Sequence, residues 1–185
     1  MTATLPDILR EGLDVIFVGI NPSLFSAAQG HYFARRTNRF WPSLSRSRLS
    51  LRARQALGVE RLEPMHDHLL LEFGIGFTDL VKRPSANAAD LGRAEMAAGA
   101  EVLARKLQRY RPRIACFHGV TAYRPFAALL GGEARSVTLG EQSWRIGGSR
   151  LFVVPNPSPA NAHATPAEQT AWYDRVAATL VGQAG

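Results

Sequence analysis

Two asparagine-proline steps are the residues of this chain best placed to do chemistry. The first, Gly19-Ile20-Asn21-Pro22-Ser23, follows the apolar run Asp14 to Val18. The second, Asn156-Pro157-Ser158-Pro159-Ala160-Asn161, follows Leu151 to Val154. Each reads as a buried strand that stops and presents polar groups at its carboxyl end, the edge where open α/β sheets bind ligands. An amide at Asn21 can orient a water by accepting from it and donating to it. It is no general base at neutral pH, so any water attack here needs an electrophile that is already close to a cation. Asn156 offers a neutral donor to a developing anion. Ser158 and the amides after it can hold a phosphate near a helix start. Each loop has a plainer reading as well: an Asx turn at Asn21, and a proline-rich connection into the last helix.

Between the loops lies an aromatic and basic stretch. Phe33, in Gly30-His31-Tyr32-Phe33, can stack on a nucleobase, or plug the loop from beneath. Asn38 suits a helix cap ahead of Phe40 and Trp41. Arg35, Arg36 and Arg39 form a cluster that can meet phosphates or simply be solvated. His66-Asp67-His68 invites a metal reading, but neighbouring helical residues point in different directions and no second ligand cluster accompanies them.

These residues need a scaffold, and strand, loop and helix recur along the chain. Strands are expected at Asp14 to Gly19 and Ile114 to His118. Ser143 to Ile146 and Leu151 to Val154 read as a hairpin or as adjacent strands around Gly147-Gly148. A turn at Gly74 leads into a short extended segment ending at Leu80. After Gly19 a long loop follows, through Phe33 to Asn38, with helical segments over Phe40 to Leu57 and Asp67 to Phe73. Met96, Ala100, Leu103 and Leu107 fall at helical spacing inside Leu91 to Tyr110, which Pro112 ends. Thr121 to Leu130 reads as a helix stopped by Gly131-Gly132. The last helix opens on Thr165, Pro166 and Glu168, a capping box with proline at the first position. Strands alternating with helices imply a parallel sheet covered on both faces.

The 185 residues suit one domain. The net charge is +7, and of 22 basic residues only Lys82 and Lys106 are lysine. The sequence pI is about 10.5. Arginine favours bidentate phosphate contacts, so a polyanion is a natural partner. A merely basic surface is the alternative. The single Cys116 sits in an apolar run and rules out a disulfide framework. Neither a membrane-length apolar stretch nor a secretory signal is visible, and a cytoplasmic location is the expectation. Dinucleotide, phosphate-loop and Gly-x-Ser-x-Gly esterase signatures are absent.

In this order, Gly19-Ile20-Asn21-Pro22, Gly30, Asn38-Arg39-Phe40-Trp41, Leu80-Val81-Lys82-Arg83-Pro84, Gln108 to Ala115 and Asn156-Pro157-Ser158 form an ordered series over roughly residues 12–180. The series resembles the mismatch-specific uracil-DNA glycosylases and thymine-DNA glycosylases of the uracil-DNA glycosylase superfamily. The resemblance implies a three-layer α/β/α sandwich with a central, mainly parallel sheet of about four or five strands. It implies a monofunctional enzyme, free of cofactor and metal, that flips uracil out of DNA and hydrolyses its glycosidic bond. By that resemblance Asn21 and Asn156 are catalytic, while Ile20, Ser23, Ser26, Phe33 and Asn38 surround the base. Arg35, Arg36, Arg39, Ser158, Ala160, Asn161 and His163 face DNA. A monomer acting on uracil-containing DNA is expected, with a lesion-binding module or a glycosylase for another base as rival readings. Three departures stand out. Ser23 replaces a glycine, Asp79 stands where relatives carry lysine or a neutral residue, and Ala160 is too short for the usual wedge.

Overall fold

The computed structural model describes residues 4–132 and 136–182. Its centre is one sheet of β1 (Val15–Gly19), β2 (Ile75–Asp79), β3 (Ile114–His118), β4 (Gly140–Ile146) and β5 (Ser149–Val154), in the order β2-β1-β3-β5-β4. β1 is parallel to β2 and β3, and β3 is parallel to β5. The edge strand β4 returns antiparallel along β5, the hairpin expected around Gly147-Gly148, though it begins earlier than Ser143.

Burial on both faces explains why the inner strands are continuously apolar rather than alternating. β1 sends Val15 and Phe17 into one core and Ile16 and Val18 into the other. The first core packs the sheet against α2 (Phe40–Arg46), α3 (Leu51–Leu57) and α6 (Pro166–Val181). Phe40 is its keystone. Its ring meets Phe17 edge-on at 5.1 Å and stacks on Phe33 at 4.2 Å. Truncating a phenylalanine this deeply buried costs about 3–5 kcal/mol. The second core holds α4 (Arg93–Tyr110) and α5 (Val120–Leu129), with Ala100, Leu103 and Leu107 of α4 buried and Met96 partly so. This is the three-layer α/β/α sandwich the sequence implied.

Local departures have local causes. The segment after Asp67 is a 3-10 helix, His68–Phe73, ended by Gly74 in the left-handed region. Inside the expected long loop lies a short helix, α1 (Leu24–Gln29), capped by Ser23, whose Oγ accepts from the Ser26 amide. Arg39, not Asn38, is the cap residue of α2; Asn38 still contributes, its Oδ1 accepting from the Phe40 amide at 2.9 Å. The capping box of α6 forms as expected, with Thr165 and Glu168 exchanging bonds. No helix among the described residues is long and apolar enough to cross a membrane. The carboxyl ends of β1, β3 and β5 open on one edge of the sheet, where both asparagine-proline loops sit.

Candidate active site

The two loops converge on one site at this edge of the sheet. A cavity of about 440 Å³ at this edge is lined from the first loop by Ile20, Asn21, Ser23 and Ser26, and from the second by Asn156, Ser158 and Ala160. Phe33, Arg35 and Asn38 complete the lining drawn from the aromatic and basic stretch. Its volume suits a small ligand such as a flipped base.

Asn21 is oriented by the chain that follows β2. Beyond the strands the two segments stay paired, with the amides of Leu80, Val81 and Ser85 bonding to the carbonyls of Gly19, Ile20 and Pro22. That zipper brings the Arg83 carbonyl and Ser85 Oγ to Asn21 Nδ2, at 2.9 and 2.8 Å. Ser85 directs its own proton to the Asn87 carbonyl at 2.6 Å, so toward Asn21 it can only accept. Both partners thus demand the NH₂ end, and the geometry fixes the amide with Oδ1 without a partner among the described residues. Asn21 therefore presents an acceptor held in register.

Asn156 is held the opposite way. Its Oδ1 accepts from the Ser158 amide at 2.9 Å, leaving Nδ2 without a partner among the described residues. Close approach of Asn156 to the end of β3 requires Gly119. A Cβ there would lie 3.2 Å from Asn156 Cβ, and its φ of 92° suits glycine. One loop thus presents an acceptor and the other a donor.

Phe33 forms the aromatic wall. One face stacks on Phe40, the backbone sits at φ 52°, and the residue lines the cavity. A left-handed phenylalanine is strained and persists only where its surroundings over-determine it. They do so here. Asp67 is buried and accepts from the Tyr32 amide at 3.0 Å and pairs with His31 Nδ1 at 3.1 Å, while Trp41 Nε1 donates to the Tyr32 carbonyl. Asp67, the middle residue of His66-Asp67-His68, therefore anchors this loop. Among the described residues no group of three or more His, Cys, Asp or Glu is placed to hold a metal.

Lining residues not assigned to the site from sequence include His118 and Asp79, the latter noted only as a departure from relatives. His118, at the end of β3, is buried against Phe17 at 5.2 Å and Phe33 at 5.1 Å. Burial pushes its pKa down to about 3, so the ring is neutral. Tyr173 Oη lies 2.9 Å from its Nε2, and His118 acts as a stiff backing for Phe33. The second is Asp79, the only carboxylate on the cavity wall among the described residues. The register pairs it with Gly19, where a Cβ would come within 2.6 Å of Asp79 Oδ1. Burial raises its pKa to about 6, partly opposed by Lys82. Lys82 Nζ is 3.3 Å from Asp79 Oδ2, 2.9 Å from Asp7 Oδ1 and 3.1 Å from Tyr32 Oη. Burial also pushes Asp7 upward, but Lys82 and Lys106 outweigh it and hold that carboxyl below its ordinary range. The sequence had offered no carboxylate for this site.

The residues assigned to DNA divide. Arg35 lines the mouth and Arg36 is exposed beside it. Arg39 turns inward. Its guanidinium donates to the carbonyls of Asn161 at 2.9 Å, Ala164, and Pro159 at 3.4 Å, and its amide donates to the Pro157 carbonyl. Arg39 clamps the second loop rather than reaching for phosphate, because four of that loop's carbonyls converge on it. Asn161 braces the same loop by donating from Nδ2 to the Asn156 carbonyl at 2.9 Å. Asn161 and His163 line a second cavity, of about 430 Å³, on the far side of Asn156.

The model of the uracil DNA glycosylase superfamily matches residues 6–180. The chain belongs to that superfamily. Among solved structures, the chain is similar to a solution structure of a candidate uracil DNA glycosylase from Methanosarcina acetivorans. That similarity has a TM-score of 0.57 at 20% identity and covers 95% of this chain and 98% of the other. At that identity the likeness speaks for the shared fold. The superfamily match takes in both asparagine-proline loops and all five strands.

Proposed function

We propose that the protein is a monofunctional DNA glycosylase that excises uracil, U:G mispairs included, and leaves an abasic site. The observation that carries this reading is the opposed pair of amides, Asn21 and Asn156, in one cavity beside the Phe33 ring. A flipped uracil stacks on Phe33. The bond from C1′ to the base nitrogen lengthens, leaving a cationic sugar and an anionic base. Asn21 Oδ1 accepts from a water and aims its oxygen at C1′, while Asn156 Nδ2 and the amide near Ile20 stabilise the departing anion. Water adds to C1′ and gives up a proton, and the base leaves with the bonding pair and is protonated afterwards. Asp79, when ionised, supplies the negative charge that favours the sugar cation and a place for that proton.

Uracil is favoured because it leaves as a better anion than thymine. Lys82 is engaged by Asp7, Asp79 and Tyr32 and is not offered as a free amine, which agrees with hydrolysis rather than strand cleavage. The test is a panel of oligonucleotides carrying U:G, U:A, T:G, hypoxanthine:T or single-stranded U. Alkali-dependent breaks at uracil support the reading. Breaks only at another base would replace the substrate, and binding without breaks would make the protein a lesion-recognition module.

A further inference from the structure

Withdrawing a base from a duplex leaves a hole in the stack, which an inserted side chain commonly occupies. The Asn156 loop offers none. Ala160 is exposed but short. Asn161 has both ends of its amide engaged, Nδ2 by the Asn156 carbonyl and Oδ1 by the His163 amide, and His163 faces the second cavity.

Large apolar side chains stand at the mouth on α1 instead. Leu24 is 50% and Phe25 43% exposed, and neither belongs to a core. They sit between Ser23 and Ser26, which both line the cavity. Arg35, on the cavity rim, lies with its guanidinium 5.8 Å from the centre of the Phe25 ring. The base of this pair is rigid. Ser23 Oγ caps α1, and Ser26 Oγ accepts from the Ala34 amide at 3.2 Å. An apolar pair in water, flanked by Arg35 and continuous with a base-sized pocket, matches the surface of a bent, unstacked duplex, which offers base faces and phosphates together.

Resting on the reading of the protein as a DNA glycosylase, we propose that Leu24 and Phe25 are the wedge that enters the stack of duplex DNA beside the flipped nucleotide. The role usually held by the second loop is thereby moved to the first. A single strand has no hole to fill, so the wedge matters for duplex alone.

The experiment compares wild type with Leu24→Ala/Phe25→Ala and Phe25→Leu in single-turnover excision from U:G duplex and from single-stranded U. The double variant should lose roughly tenfold or more on duplex, a barrier increase of about 1.4 kcal/mol or more. It should stay near wild type on the single strand, and Phe25→Leu should keep most of the duplex rate. Equal loss on both substrates, or none on either, overturns the proposal. A second readout is independent of excision: 2-aminopurine fluorescence next to a tetrahydrofuran abasic analogue in duplex. Wild type should change it on binding and the double variant should not. If wild type excises nothing, the functional reading fails while this readout still decides the wedge, and equal responses from both proteins reject it.

Discussion

Asn21 and Asn156 face one cavity with opposite ends of their amides free. Asn21 keeps Oδ1 uncommitted because Arg83 O and Ser85 Oγ claim its nitrogen, and Asn156 keeps Nδ2 because the Ser158 amide claims its oxygen. Neither orientation is accidental, since in each case the partners are chemically one-way. In the proposed reaction, water positioning and leaving-group stabilisation would be divided between two residues 135 positions apart.

The Asn156 half predicts a dependence on the leaving group. Asn156→Ala should slow excision by about 10²–10³-fold, the scale of losing one well-placed donor. The loss should be smaller for 5-fluorouracil, whose anion needs less help. Single-turnover rates on matched duplexes measure it. An equal loss on both bases would assign Asn156 to shaping the loop instead.

Asp79 predicts the acid limb of the pH profile. Its pKa is raised to about 6, so below that pH the excision rate should fall about tenfold per pH unit and above it level off. Asp79→Asn should be slower and lack that limb. The sign for stability is opposite. The folded state holds the Asp79 proton more tightly than the unfolded chain. This group's contribution therefore falls as pH rises from the ordinary 3.8 to about 6, and the cost persists above. Asp79→Asn should accordingly raise the melting temperature at pH 8, with Lys82 still paired to Asp7. Rate and melting profiles from pH 5 to pH 8.5 check both halves.

Arg39 and Arg35 should behave differently under salt. Arg39→Ala removes the clamp on the second loop and should cost about 2 kcal/mol of stability, the scale of a charged hydrogen-bonding group. Its effect on DNA affinity should be alike at every salt concentration. Arg39→Lys should not rescue it, since one ammonium cannot reproduce a fork serving three carbonyls. Arg35→Ala and Arg36→Ala should lower affinity and flatten its salt dependence, as loss of a phosphate contact does. Thermal melts and affinity titrations over a salt series separate the two classes.

The backing of Phe33 predicts that His118→Ala weakens base stacking without touching the amides. Excision should fall through looser substrate binding rather than a slower chemical step. Separating the saturating rate from the half-saturating concentration tests this, and a loss confined to the saturating rate would contradict it.

The site was legible where chemistry is local to the chain. An apolar run ending on Asn-Pro announces a strand end, and Thr165-Pro166 with Glu168 announces α6, because both signals lie within a few consecutive residues. What was hidden depends on pairing across the sheet. Asp79 enters the cavity only because β2 aligns it with Gly19, a register that one strand alone does not reveal. His118 ends a strand that reads as plain core. Arg39 looked like a surface cation because charge is visible in sequence and the carbonyls that surround it are not. α1 escaped notice because six residues make too few turns to show a period, and its Ser23 cap is a single hydroxyl.

The central claim is that Asn21 positions the water for a metal-independent excision of uracil. The most direct measurement incubates an end-labelled U:G duplex in chelator with wild type and with Asn21→Ala, the variant first shown to melt as the wild type does. Products are then resolved with and without alkali. Wild type should give alkali-dependent cleavage at uracil, reduced by about 10²-fold or more in Asn21→Ala. Equal cleavage by both proteins, or none by wild type, would contradict it.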